Sequence, residues 1–280
     1  MIKSEKVEAM AREFIAAIEG GLAEGKWVRP WQKTAVLPTN ASTGKMFSGT
    51  NFLYLLICGG GYFATNKQWK GLDAAVQWDT GPVAHGVLRP LFKKFEKDNG
   101  KNDLKLIGFA GYNLYSANDQ KGWEIPGSKP LIEFTPIEAV EKMIANSGAN
   151  VCHGGDRSYY NSANDSIQLP QAHDFNSIVA YYDTVIHELV HWTGHKSRLD
   201  RKLDNARFGD EAYSFEELVA ELGATIISAH LGIDQAETRD NHYKYVKGWL
   251  KILHGDGASI MTAASKAQKA ADLLLKGITP

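Results

Sequence analysis

The pentapeptide His187-Glu188-Leu189-Val190-His191 has the residue types and spacing of a metal site. Two histidines four apart lie on one face of a helix, roughly 40° apart around its axis at ~100° per residue. Two imidazoles so placed can share one zinc ion. Glu188, beside the first of them, lies where it can take a proton from water. That is the chemistry of a metallopeptidase. The bland alternative is a helix whose two histidines are satisfied by hydrogen bonds in a core.

Catalytic zinc takes three protein ligands and keeps one position for water. The third is sought in Ser214-Phe-Glu-Glu-Leu-Val-Ala-Glu221. Glu217 and Glu221 are four apart and share a helix face. Glu217 is read as the ligand, and Glu221 as the acid that holds the N–H of a ligating histidine and fixes its tautomer. The stretch Ser214-x-x-Glu217 is also a capping box, which would make Glu221 the ligand; Glu216 is a third option. His195 follows Gly194, so it is expected to point away and shape the turn. Tyr160, Tyr213, His195 and His173 are the candidates to stabilise an oxyanion.

These residues need elements to hold them. Ile178, Tyr182, Val185 and Leu189, with Val179, Ile186 and Val190, recur at three- and four-residue spacing. The pattern predicts an amphipathic helix over about 177–193, with Gly194 as its stop. Further helices are predicted at 4–25, 135–146, 215–231, 240–254 and 257–276. Thr135 is read as the cap of the second and Pro136 as its first residue. Residues 51–58 read as an apolar helix or strand, and 104–115 as the best strand of a strand-rich region at 84–130. Residues 158–160 and 165–170 read as a strand pair joined by the loop 161–165. Pro170 suits an edge, the feature to which a peptidase adds an extended peptide. Residues 116–135, with Gly122, Pro126, Gly127 and Pro130, read as a connecting segment.

Composition narrows the setting. The chain has 280 residues, 44% apolar and 22% charged, with no apolar run of ~18 residues, so two folded domains and no membrane span are expected. Met1-Ile-Lys-Ser-Glu-Lys6 leads into a charged helix and not into the apolar core of a signal peptide. Cys58 and Cys152 fall one in each half, which argues against a disulfide and fits a reducing cytoplasm; Cys152 is read as a buried thiol among surface histidines.

Net charge is −1 but unevenly divided: residues 1–130 carry 17 Lys and Arg against 12 Asp and Glu, the rest 14 against 20. The basic half also interleaves aromatic, basic and turn residues: Trp27-Val-Arg29-Pro-Trp31, then Asn40, Lys45, Phe47 and Asn51 in a turn-rich loop, then Tyr62, Phe63, Lys67, Trp69, Lys70 and Trp78. Aromatic platforms beside positive groups hold single-stranded nucleic acid. The opposing reading is that these aromatics are core. Trp27, Arg29, Trp31, Asn40, Lys45, Phe47, Asn51 and Trp69 are the DNA-binding candidates. Gly44-Lys45 lacks the glycine spacing of a P-loop.

These residues carry a resemblance. Tyr159-Tyr160, Asp165-Ser-Ile-Gln-Leu-Pro170, the stretch from Tyr182 through His187-Glu-Leu-Val-His-Trp-Thr-Gly-His195, Arg198-Leu-Asp-Arg201, Tyr213-Ser-Phe-Glu-Glu-Leu-Val-Ala-Glu-Leu-Gly223, Trp249-Leu250 and Ala263–Ala271 resemble the zincin domain of ArdC antirestriction proteins of plasmids and phages. Trp27, Pro30-Trp31, Asn40, Thr43-Gly-Lys45 and Phe47-Ser-Gly-Thr-Asn51 are similar to that family's single-stranded-DNA-binding domain. The family's Trp-x-Thr-x-x-Gln element is lacking here, where the chain has Trp69-Lys-Gly-Leu-Asp-Ala74.

The resemblance implies an α+β chain: a single-stranded-DNA-binding domain at 1–125, a linker at 126–135, and a zincin-like metallopeptidase domain at 136–280 with a short antiparallel sheet. It implies Zn2+, or Mn2+ or another divalent cation, at His187, His191 and Glu217, with Glu188 catalytic. Glu217-Leu-Val-Ala220 also resembles the third-ligand helix of ImmA/IrrE-type peptidases. The implied role is to shield incoming plasmid or phage DNA from restriction in a bacterial host cell. The partners would be single-stranded DNA and a protein such as a restriction enzyme or a DNA-bound protein. A non-proteolytic DNA-binding shield with a vestigial metal site is the alternative.

Overall fold

The computed structural model describes residues 5–23, 26–27, 36–96, 102–123, 136–203, 210–233 and 243–278. The first helix, α1 (Glu5–Gly20), turns Val7, Met10, Ala11, Phe14 and Ile18 to one buried side. It ends five residues before its expected limit, and β1 (Leu22–Ala23) and β2 (Lys26–Trp27) pair antiparallel after it.

The strands β3 (Thr39–Asn40), β4 (Tyr62–Ala64), β6 (His85–Glu96) and β7 (Asn102–Ser116) form a sheet in the order β3-β4-β7-β6. The last two make one long antiparallel hairpin, with a register shift between Leu91 and Phe92. Pro90 sits within β6, which is tolerable because β6 is an edge strand. The stretch read as helix or strand is α2 (Gly49–Ile57), apolar almost all round because it is buried almost all round.

A smaller core gathers Ala64, Trp69, Ala74 and Val76 under α3 (Asn66–Gly71). Thr65 caps α3 in a capping box with Gln68. The strands β5 (Ala75–Val76) and β8 (Gln120–Lys121) close this unit as an antiparallel pair, and Trp123 stacks edge-on against Trp69 and Tyr62. Residues 116–123 therefore belong to this unit and not to a connecting segment. The rest of that segment, 124–135, lies outside the described residues.

The second half opens with α4 (Pro136–Ser147). Its sheet has the order β10 (Tyr159–Asn161), β11 (Ser166–Leu169), β9 (Asn150–His153). The pair β10/β11 is antiparallel, as expected, and β9 joins β11 in parallel, so the sheet is mixed. Pro170 directly follows β11, which is the central strand; the edges are β9 and β10. Cys152 is exposed on edge strand β9, which corrects the buried thiol expected there.

Four helices complete the chain: α5 (Ile178–Thr193), α6 (Glu211–Leu231), α7 (Tyr243–Gly255) and α8 (Ser259–Leu274). The α8 face that packs inward is mostly alanine (Ala263, Ala264, Ala267, Ala270 and Ala271), which lets it lie close to its neighbours.

One apolar core joins the halves, running from Phe14 and Phe52 to Leu189, Ile226 and Trp249. Polar and steric ties reinforce it. The Gly49 amide at the start of α2 donates to Gln268 Oε1 of α8 at 2.8 Å, and a Cβ on Gly257 would lie 2.8 Å from that of Ala11 in α1. Among the described residues, no helix is long and apolar enough to cross a membrane.

Candidate metal centre

Ser177 caps α5 by accepting from the Ala180 amide. From there the helix runs buried through His187, Glu188 and His191. Gly194 follows in an ordinary helical conformation (φ −75°), so it is not a left-handed stop. Its lack of a side chain serves another purpose: a Cβ there would lie 2.8 Å from Arg201 Nη2.

The partner helix α6 starts one turn earlier than its sequence predicts. Asp210 is its cap, accepting from the Tyr213 amide at 2.7 Å. Ser214 is therefore inside the helix, and the capping-box reading of Glu217 does not hold. Gly223 sets the spacing of the two helices, since a Cβ there would meet Val190 at 2.8 Å.

This packing brings the predicted residues together. His187 Nε2 and His191 Nε2 are 3.2 Å apart. Glu217 Oε2 is 3.4 Å from the first and Oε1 is 3.5 Å from the second. Among the described residues these three form a group that could hold a metal ion, with one donor atom from each and all within 4.8 Å of one another.

The far side of each imidazole faces a carboxylate. Glu221 Oε2 is 4.0 Å from His187 Nδ1. Glu216 Oε1 is 3.3 Å from His191 Nδ1. Arg201 holds Glu216 through Nη2 (2.7 Å) and Nε (3.0 Å), and also donates to Thr193 Oγ1 (2.7 Å) and the Val190 carbonyl (2.6 Å). Glu216 and Arg201 are the supports that sequence reasoning missed. Their signal was geometric: adjacent helix residues point ~100° apart, so Glu216 and Glu217 reach the same histidine from different sides.

The electrostatics ask for a cation. Burial works against charge on both groups, yet Glu217, Glu216 and Glu188 push the His191 pKa up to about 10. Burial likewise opposes the charge on Glu217, but His191 and His187 hold its carboxyl well below the usual range. Two imidazole nitrogens and a carboxylate converging within metal-bridging distance fit a first-row divalent ion.

Tyr213, on α6, faces the centre. Burial and then Glu217 raise its pKa, and its hydroxyl lies 3.3 Å from that of Tyr245 on α7. Tyr245 was not anticipated. Burial, the Glu217 charge and, more weakly, Glu188 also raise its pKa, which puts it beside the same carboxylates. Tyr160 donates to Asp165 at 2.8 Å, and Arg198 grips the same carboxylate while covering the Trp192 ring at 3.6 Å. His195 Nδ1 pairs with Ser197 Oγ at 2.8 Å in the turn after α5. His173 stands exposed beside Asp174. Tyr160, His195 and His173 are thus engaged in turns or exposed, and Tyr213 is the predicted oxyanion candidate set against Glu217.

The DNA-binding candidates fare differently. Trp69 is fully buried, with its indole N–H donating to the Tyr115 carbonyl, so it offers no surface to a base. Both polar atoms of the Asn51 side chain are bonded to the backbone of Leu88. Asn40 Oδ1 accepts from the Ser42 and Thr43 amides and shapes its own turn. Phe47 packs against the main core, and Lys45 is exposed. Trp27 lies in β2 with its side chain outside the described set; Arg29 and Trp31 lie outside the described residues.

Comparison with known proteins matches this architecture in two blocks. Residues 4–122 match the N-terminal domain of the anti-restriction factor ArdC, and 138–266 match a zincin-like metallopeptidase family. The protein y4eC of Sinorhizobium fredii is 34% identical over 283 residues, covering 95% of this chain and 90% of that protein. DNA primase TraC of Escherichia coli is 34% identical across 96% of this chain, which spans 20% of TraC. Antirestriction protein ArdC from plasmid R388 superposes with a TM-score of 0.76 in its metal-free form (31% identity, 98% of both chains). Its Mn(II)-bound form gives 0.73 (33% identity, 97% of both). With both blocks matched in order and full-length similarity to a solved ArdC, this chain belongs to the ArdC family of antirestriction proteins.

Proposed function

We infer that the chain is an antirestriction protein of a mobile element that binds single-stranded DNA and cleaves a protein with a metal-dependent peptidase site in the host cytoplasm. One observation carries the peptidase reading: Glu188 is buried beside the ligand candidates and acts on the charge of His191, with Glu216 and Arg201 behind His191 and Glu221 4.0 Å from His187 Nδ1. A merely structural metal needs no acid at Glu188. The Mn(II)-bound form of the R388 relative supports a divalent ion here, with zinc as the other candidate.

His187, His191 and Glu217 would hold the ion, which supplies Lewis acidity to a carbonyl and lowers the pKa of a water. The chain's own groups do the rest. Glu216 accepts at His191 Nδ1 and leaves Nε2 free to ligate. Glu188 accepts the proton of the attacking water and returns it to the leaving amine. Tyr213 restrains Glu217, and the Tyr213–Tyr245 pair supplies hydroxyl donors for the oxyanion. The protein substrate is a restriction enzyme or another DNA-bound protein.

Glu188→Gln tests this: casein cleavage with zinc or manganese should fall by about 10²–10⁴-fold while metal affinity is kept. Unchanged cleavage would sink the assignment. The second reading is a DNA-binding shield with a vestigial metal site. A shield would still protect a plasmid from restriction when carrying Glu188→Gln; a peptidase-dependent protein would not.

A further inference from the structure

The loop that follows α5 carries two arginines, and they reach different parts of the molecule. The loop is tightly wound. The Arg198 and Asp200 amides donate to the His195 carbonyl, the Leu199 amide to that of Thr193 and the Arg201 amide to that of Gly194, all at 2.9–3.0 Å. Asp200 and Lys202 sit at positive φ (46° and 61°), a conformation that costs a residue with a side chain free energy and persists only where its surroundings fix it. Arg201 reaches Glu216, behind His191.

Arg198 has other partners. Its Nε donates to the Trp192 carbonyl at 2.7 Å, and its guanidinium lies over the Trp192 ring. Nη1 donates to Asp165 Oδ2 at 2.9 Å and Nη2 to Oδ1 of the same carboxylate, a fork that lysine cannot reproduce. Asp165, in the turn between β10 and β11, is itself at positive φ (52°) and also accepts from the Tyr160 hydroxyl.

That turn ends the strand pair that packs on α5. Tyr160, Ile167 and Leu169 face the common core. The sheet is pinned to α5 at its other end too, where His153 Nε2 is 2.9 Å from the Tyr181 hydroxyl. The two ties bracket the stretch of α5 that holds His187 and His191. Of the two edge strands, β10 is the one on the side of the centre: the charge of Arg157, two residues before it, acts on Tyr245, the neighbour of Tyr213. An edge strand leaves alternate amides and carbonyls unpaired, a ladder for an extended peptide.

We propose that Arg198 is a positioning residue for the peptide substrate: by clasping Asp165 to the end of α5 it fixes the height of β10 over the two histidines, and so the place where the scissile carbonyl of a strand laid on β10 comes to rest. This rests on the peptidase reading and adds how the substrate is aligned. Within one loop, Arg201 serves the metal ligands and Arg198 the substrate edge. The effect is measurable, because a displacement of about 1 Å at a reacting centre can cost on the order of 10²-fold in rate.

Casein-cleavage kinetics with Mn2+, and Mn2+ calorimetry, read the outcome on the full chain. Arg198→Ala should raise KM and lower kcat/KM about tenfold with Mn2+ affinity unchanged. Arg198→Lys keeps the charge and the stem over Trp192 but loses the fork; it should show the same KM change in smaller degree, and it carries the test if the alanine variant does not fold. Asp165→Asn, which tolerates positive φ, should shift KM the same way, and the double variant should be no worse than Arg198→Ala, because both changes remove one clasp. If the parent cleaves and the Arg198 variants keep its KM and kcat, only this proposal falls. If Mn2+ affinity falls along with kcat/KM, or the two losses add, Arg198 acts on the metal or the fold at large and the proposal is overturned. If the parent cleaves no casein with Zn2+ or Mn2+, the peptidase reading falls and takes the proposal with it.

Discussion

The metal centre and the β6–β7 hairpin depart from ordinary packing in opposite senses. Between α5 and α6, groups that prefer water are buried: Glu188, Glu217 and Glu221 are almost without solvent contact, and Arg201 is shut in with Glu216. On the hairpin, groups that prefer burial stand in water. Each departure costs free energy, and each is held by specific partners. What they teach is that buried polarity and exposed apolar surface are both departures that a fold tolerates only where something compensates them.

The largest effect is expected where a support is buried. Arg201→Ala leaves Glu216 buried without its cation, so the fold should lose about 3–5 kcal/mol in a denaturant titration. Metal affinity should fall roughly 10–100-fold, because Glu216 no longer sets the His191 ring. Full retention of both would mean that the network is decorative.

The two tryptophans Trp69 and Trp78 separate the regions most cleanly. Trp69→Ala should cost about 3–5 kcal/mol as a core cavity. Trp78→Ala should stay within about 0.5 kcal/mol. Equal destabilisation would erase the distinction between core and surface.

A subtler change tests the helix spacing that sets the centre. Gly223→Ala drives a methyl into Val190, and should cost about 1–3 kcal/mol. It should weaken Mn2+ binding in calorimetry without touching a ligand; unaltered affinity would show that the α5–α6 distance is not critical.

The smallest effect is a pH dependence. The Arg198 hydrogen bond, with help from Tyr160, draws Asp165 down to about 2. Its folded pKa is thus below the unfolded value of ~3.9, so its contribution to stability is present above pH ~4 and is lost as pH falls from there toward 2. Asp165→Asn should give a flatter melting curve across that window. An unchanged slope would mean that the β10–β11 turn does not depend on the pair.

How much of this was legible differs between the same two regions. The α5 helix with His187, Glu188 and His191 was readable because one period carried both its core face and its chemistry. Glu217 was readable as a carboxylate on the facing helix, although the true cap at Asp210 was missed beside the Ser214–Glu217 signal. Strand β9 was not readable: Asn150-Val-Cys-His153 alternates poorly, and its partner β11 lies beyond β10 in sequence. The placement of the aromatic residues of the first half was least readable. Trp69, flanked by two polar residues and a Lys, looks exposed until the turn of α3 carries it inward, whereas Trp78 in Gln77-Trp-Asp-Thr-Gly81 is left outside by its turn. Composition names the aromatics, but only the fold sorts the exposed from the buried.

The side chain of Asn51 has a consequence for solubility. By accepting from the Leu88 amide and donating to the Leu88 carbonyl, it occupies the outer edge of β6 where a foreign strand would start to pair. Two residues on, Pro90 points the same way with no N–H to offer. Beyond them the edge carries Lys93 and Lys94, which repel a like strand from another copy. A hairpin this long and this apolar therefore keeps an edge that does not seed fibres of its own.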